Sequence, residues 1–310
     1  MRKITQLLSN MYIYAILGII CSFYFCCSTT ISEGKKIRYN QNNLPTNYIL
    51  IGKENILWDT GTQICLFFQD FAPWKMFLNP IPTHGYGSWT LEWLYYSPSI
   101  RFDSICINNI VYSLVNEDKL STFVRNLNIM GIMGMNVIGR ANWLIDFKDS
   151  SLHIMTKNDE YAVTDMPQLS LTYRRSRTPK TTLNIAGITI NDILVDSGFD
   201  ADIMLLEKEI EQINRYILPI DTTTRSSSGL YAENILEKKY IYHNITINGY
   251  TFDKLGIVQG GSSRRLIGMG FFQKFDKVFL NTKKKEFQFY KIRHCEKCKN
   301  CEHTRRNSED

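Results

Sequence analysis

The sequence predicts an all-β protein assembled from two copies of one structural unit. Three observations lead there. Short apolar runs of strand length, separated by turn residues, fill residues 48–290, and long helical periodicities are few. An apolar run ending in aspartate, a hydroxyl residue and glycine occurs twice, as Ile56-Leu57-Trp58-Asp59-Thr60-Gly61 and as Ile193-Leu194-Val195-Asp196-Ser197-Gly198. Each run has a partner of two apolar residues and a glycine. In Ile132-Met133-Gly134 the glycine lies 75 residues beyond Asp59, and in Leu266-Ile267-Gly268 it lies 72 beyond Asp196.

The 310 residues suffice for two domains of ordinary size, and 44% hydrophobic content excludes a disordered chain. The net charge of +6 is carried partly in short runs such as Arg174-Arg175 and Lys283-Lys284-Lys285, which read as solvated surface. There is no zinc-finger spacing, phosphate-binding Gly-Lys loop or dinucleotide-binding glycine pattern, so no nucleic acid or nucleotide partner is expected. Three of the eight cysteines lie at Cys21, Cys26 and Cys27, two at Cys65 and Cys106, and three at Cys295, Cys298 and Cys301. That spread is not the framework of a small disulfide-rich domain. Cys65 and Cys106 could bridge in an oxidising compartment; buried free thiols are the expectation.

Residues 1–30 read as a signal peptide or membrane anchor. Arg2 and Lys3 precede an uncharged apolar run over residues 11–27, whose length lies between a signal-peptide core and a short membrane helix. Cleavage, retention and lipid attachment at a cysteine all stay open. An exported or cell-envelope location follows from any of them, with membrane contact through this segment. Residues 31–47 are polar and read as a linker.

The first unit spans residues 48–160. Residues 48–51 and 55–58 form strands around a turn, and the second of them delivers Asp59. Gly85-Tyr86-Gly87 between strand-like stretches predicts a hairpin tip. Residues 104–115 alternate around a turn at Asn108-Asn109. Residues 136–141 are helix-compatible, and closing strands follow at 143–147 and 152–155. Residues 156–168, with Pro167, are the expected hinge.

The second unit, residues 161–293, repeats the scheme. Strands at 182–185 and 190–195 deliver Asp196. Residues 226–231 match the first unit's hairpin tip. Alternating runs flank Asn248-Gly249, a strong hairpin signal. Helix-compatible residues 271–275 precede strands at 277–280 and 286–290. Residues 294–310 form a basic, cysteine-rich tail. Its cysteines stand three apart, which is metal-ligand spacing, but no second pair completes a four-ligand site. No metal is expected.

A buried carboxylate at a strand end is costly unless it is hydrogen-bonded or reactive. Two of them in matched positions suggest a meeting point. On these residues the chain resembles the aspartic peptidases of the pepsin and retropepsin superfamily. It is most similar to bacterial retropepsin-like proteins with both lobes in one chain. The resemblance covers residues 48–290. It implies a two-lobed acid-protease fold of β-barrels about a pseudo-twofold axis. It also implies an aspartic endopeptidase with Asp59 and Asp196 as catalytic pair, Thr60, Gly61, Ser197 and Gly198 as their support, and Gly85, Tyr86 and Gly87 as a substrate-binding flap. An ordinary surface hairpin is the competing reading of that flap. Trp58 and Phe199 are bulky departures from the family's pattern. The expected partner is a peptide or protein substrate, the expected state a monomer, and no cofactor is required. The alternative is a peptide-binding module on the same fold that does not cleave.

Overall fold

The computed structural model describes residues 29–40, 48–84, 89–159, 166–174, 177–260 and 264–291. The apolar leader, the flap residues Gly85, Tyr86 and Gly87, part of the expected hinge and the tail cysteines lie outside the described residues. Strands dominate, and the few helices are short.

The strand order of the first copy is Leu50–Ile51, Ile56–Trp58, Gly131–Met133, Cys65–Phe67, Ile105–Leu114, Trp89–Phe102 and Met76–His84. In the second copy the same places are taken by Lys180–Ile185, Ile188–Val195, Leu266–Ile267, Ile203–Leu205, Tyr250–Gln259, Ile235–Ile247 and Asp221–Ser227. Strand directions repeat too. Ile56–Trp58 runs parallel to Gly131–Met133, and Ile188–Val195 runs parallel to Leu266–Ile267. A parallel pair needs a long crossover, which is why the aspartate and its glycine partner lie so far apart in sequence. The strand before Asp59 is covered on both faces, so Ile56, Leu57 and Trp58 are all apolar and buried.

A further six strands join the copies in the order Lys35–Asn40, Ser151–Met155, Asn142–Asp146, Lys277–Asn281, Glu286–Tyr290 and Leu169–Thr172. The two middle strands belong to different copies and pair antiparallel, Trp143 with Leu280 and Leu144 with Phe279. Each copy thus contributes three strands in mirrored order about that central pairing.

Two expectations are corrected. The stretch read as a linker, residues 31–47, includes the strand Lys35–Asn40, paired with Ser151–Met155. Ile37 and Tyr39 alternate inward and are buried between polar neighbours, a period-2 pattern too short to stand out among lysines. The turn expected at Asn108-Asn109 is not there. Asn109 has a left-handed φ of 54° inside the strand Ile105–Leu114, and the chain reverses instead at Asp103, φ 46°. The matching turn in the second copy is at Asn248-Gly249 as expected, with both φ values positive at 47° and 85°, the signature of a type I′ hairpin. Cys65 is a buried free thiol and Cys106 is free and partly exposed.

Candidate active site

Each aspartate follows the end of a strand and is fixed by its own glycine partner's strand. The Asp59 amide donates to Met133 O at 3.1 Å and the Asp196 amide to Ile267 O at 2.8 Å. Behind each turn the next residue of the partner closes the loop. Met135 N donates to Thr62 O at 2.8 Å, and Met269 N to Phe199 O at 2.7 Å. Gly134 and Gly268 are pressed against those turns. A Cβ on Gly134 would lie 2.8 Å from Thr62 O, and one on Gly268 would lie 2.5 Å from Phe199 O.

The two turns meet face to face. Thr60 Oγ1 donates to Val195 O at 2.7 Å and accepts from Ser197 N at 3.1 Å. Ser197 Oγ donates to Trp58 O at 2.9 Å and accepts from Thr60 N at 3.0 Å. Both hydroxyls are fully buried, so these crossed bonds are shielded from water. They hold each glycine against the opposite carboxyl. A Cβ on Gly61 would lie 2.3 Å from Asp196 Cγ, and one on Gly198 would lie 2.7 Å from Asp59 Cγ. Only glycine permits that approach. Asp59 and Asp196 are consequently within hydrogen-bond reach of each other.

Their environments differ. Asp59 accepts from Gly61 N at 2.7 Å and from the Thr62 hydroxyl at 2.6 Å. Asp196 accepts from Gly198 N at 3.0 Å, and Phe199 has no hydroxyl to add. Desolvation raises both carboxyls above their ordinary range. The hydrogen bonds from Thr62 and Gly61 oppose the rise at Asp59. At Asp196 the neighbouring Asp59 charge adds to it, and the group stands well above the ordinary carboxylate value. The Thr62 hydroxyl thus favours an anion at Asp59, and the two carboxyls titrate as one unit.

The pair opens into a cleft of about 590 Å³ between the copies. The first copy's wall is apolar, with Leu57, Leu66, Val124, Leu127 and Ile132. The second copy's wall is mixed. Leu194, Met204 and Leu266 form a smaller apolar patch, bordered by Asp200 and Arg225. Arg225 donates a hydrogen bond to Asp200 at 2.7 Å, forms an ion pair with the deeply buried Glu237 at 3.2 Å, and lies 5.9 Å from the Phe199 ring centre.

The loop between Asp221–Ser227 and Ile235–Ile247 crosses from the second copy to the first. Ser121 N donates to Leu230 O at 3.0 Å, Ser121 Oγ donates to Gly229 O at 2.8 Å, and Thr122 N donates to Glu233 Oε1. Leu230 and Tyr231 pack against the first copy's apolar wall. The same Ser121 hydroxyl caps the helix Thr122–Asn126 by accepting from Val124 N.

All six residues expected at and beside the pair, Asp59, Thr60, Gly61, Asp196, Ser197 and Gly198, are therefore gathered at one point. Thr62, Phe199, Tyr48, Asp200 and Arg225 also face the cleft and were not singled out as site residues. The Thr62 contact was readable in principle, since a hydroxyl three residues after an aspartate commonly bonds it. The others meet the site through long-range contacts that no local pattern announces. No family model matches the chain, and no curated protein matches it.

Proposed function

We propose that this protein is an aspartic endopeptidase with a two-lobed, pepsin-like architecture. One observation carries the reading: Gly61 abuts the Asp196 carboxyl while Gly198 abuts that of Asp59, locked by the crossed Thr60–Ser197 bonds. That juxtaposition supports a shared-proton pair. The repeated strand order supports the two-lobed fold.

In this mechanism the Asp59 anion takes a proton from a water that attacks the scissile carbonyl. Asp196 donates its proton to the carbonyl oxygen, and a proton then passes to the departing nitrogen. The substrate is a peptide in extended form laid along the cleft. The uncharged run at residues 11–27 supports export or a membrane tether, with the catalytic unit outside the cytoplasm.

The test is cleavage of an unfolded protein by the purified full chain, from acid to neutral pH, with and without a statine-type transition-state analogue. Cleavage that the analogue blocks supports the reading. Binding of the analogue without cleavage at any pH overturns it in favour of a peptide-binding module.

A further inference from the structure

Tyr48 belongs to the cleft but takes no part in the carboxyl pair. It stands two residues ahead of the strand Leu50–Ile51 and is only 7% exposed, its ring packed within the first copy's apolar wall. It nonetheless lines the cleft, and its hydroxyl lies in the field of Asp200, Asp196, Arg225 and Asp59. The hydroxyls of Tyr112 and Tyr231 are sealed and unpartnered among the described residues, whereas that of Tyr48 is not sealed and looks onto the cleft. None of the described residues hydrogen-bonds it.

A polar tip at the end of a buried ring is satisfied by whatever fills the space before it. The groups around it select which kind of partner. Asp200 offers an acceptor for a peptide N–H group. Arg225 is already engaged by Asp200 and Glu237. The Tyr48 hydroxyl is a donor beside Asp196 and Asp200 that a carbonyl can take up. Desolvation and the nearby carboxylates raise the phenol far beyond its usual range, so it remains an O–H donor wherever the protein is folded.

We propose that Tyr48 is a positioning residue that donates its hydroxyl to a backbone carbonyl of the bound peptide, beside Asp196. This rests on the peptidase reading and adds the residue that fixes the strand's register over the pair. Such a bond orients the scissile carbonyl, so its loss affects turnover as well as binding.

Tyr48→Phe keeps the ring and removes only the hydroxyl. The expected results are a roughly tenfold fall in kcat/KM and a roughly tenfold weaker Kd for a statine peptide, with an unchanged melting temperature. The pH profile keeps its shape because the pair is intact. Tyr112→Phe, which removes another buried hydroxyl, should leave both constants alone. A series of inhibitors with successive backbone carbonyls replaced by methylene supplies a second reading. One replacement should cost the unaltered protein about tenfold in affinity and cost Tyr48→Phe nothing. Unchanged constants in Tyr48→Phe, or an equal loss in Tyr112→Phe, overturn the role of Tyr48 and leave the peptidase reading standing. If the unaltered chain neither cleaves nor binds, both fall. If it binds without cleaving, the affinity arms still decide on Tyr48.

Discussion

Thr62 and Phe199 each follow an aspartate of the pair by three residues, and only Thr62 has a hydroxyl to give: it bonds Asp59 at 2.6 Å. The two copies are otherwise closely matched around the carboxyls, down to the glycine amide that each aspartate accepts. This difference stabilises the anion at Asp59, while the Arg264 charge is what opposes the rise at Asp196 beyond the Gly198 amide.

Changing that difference should move the pH profile. Thr62→Val removes a donor to the ionised member, which raises the Asp59 pKa and shifts the acid limb of the activity profile to higher pH by about one unit. Phe199→Thr gives Asp196 a donor to its anion, which lowers its pKa and draws the alkaline limb down. Profiles of kcat/KM against pH check both. Limbs that stay in place in both variants would remove this account of the asymmetry.

Asp59→Asn and Asp196→Asn should each abolish cleavage, and the double change should cost no more than either alone, since the pair acts as a unit. Stability should respond in the other direction. Both carboxyls have raised folded pKa values. The folded state therefore binds protons that the unfolded state has released, and stability is lost as pH rises from the ordinary carboxylate range through the folded values. Each Asn variant should melt higher than the parent at neutral pH and about equally in acid, where both carboxyls are protonated in either state. Scanning calorimetry at the two pH values measures this.

Thr60→Ala removes the donor to Val195 O and the acceptor for Ser197 N. The Ser197 amide is left buried without its partner. A loss of about 2–3 kcal/mol in urea denaturation is expected. Thr60→Ser keeps the hydroxyl and should recover most of it.

Gly61→Ala places a methyl group where the Asp196 carboxyl sits, 2.3 Å from Cγ, and no flexible group there can yield. The variant should lose cleavage entirely and stability substantially. Gly187→Ala, at an exposed turn with open space around it but a φ of 86°, should show only a modest strain cost and full activity. A cleavage assay and a melting curve for each separate the two cases.

The loop that spans the cleft should loosen in acid. The Thr122 amide holds the Glu233 carboxyl below its ordinary value. The contact is therefore complete above the ordinary glutamate range and is lost as pH falls through the depressed folded value. Hydrogen exchange at residues 229–233 should accelerate on acidification in the parent. Glu233→Gln should flatten that response, and Ser121→Ala should raise exchange at every pH by removing the bond to Gly229 O. Exchange indifferent to pH in the parent would show that Glu233 does not hold the loop.

The centre of the site was legible in the sequence because its parts recur. An aspartate, a hydroxyl residue and a glycine at a strand end, twice, each with a glycine partner at similar distance, form a pattern that chance rarely supplies. The strands closest to that centre were legible for the same reason. Failures came where local sequence resembles something else. Lys35–Asn40 looks like a polar linker because Ile37 and Tyr39 are its inward-facing side chains and lysines and an arginine stand between and beside them. Asn108-Asn109 looks like a turn because asparagine tolerates left-handed φ, and Asn109 does adopt it, though within a strand. The helices Thr122–Asn126 and Glu207–Ile213 are too short for a periodic signal to rise above noise. The bonds from Ser121 to Gly229 and Leu230 link segments 108 residues or more apart, and nothing in either segment names the other.

The sheet that joins the copies bears on why they share one chain. Severed from each other, the halves would bare the edges Asn142–Asp146 and Lys277–Asn281, rows carrying Trp143, Ile145, Val278 and Leu280 with unpaired backbone groups. Bare edges of this kind recruit another strand. Halves expressed separately should therefore sediment as self-paired dimers or aggregates rather than as monomers. A self-paired first half would set two Thr62 hydroxyls against two Asp59 carboxyls, and the partners would be chemically identical. Tandem linkage is what allows one aspartate to be furnished differently from the other.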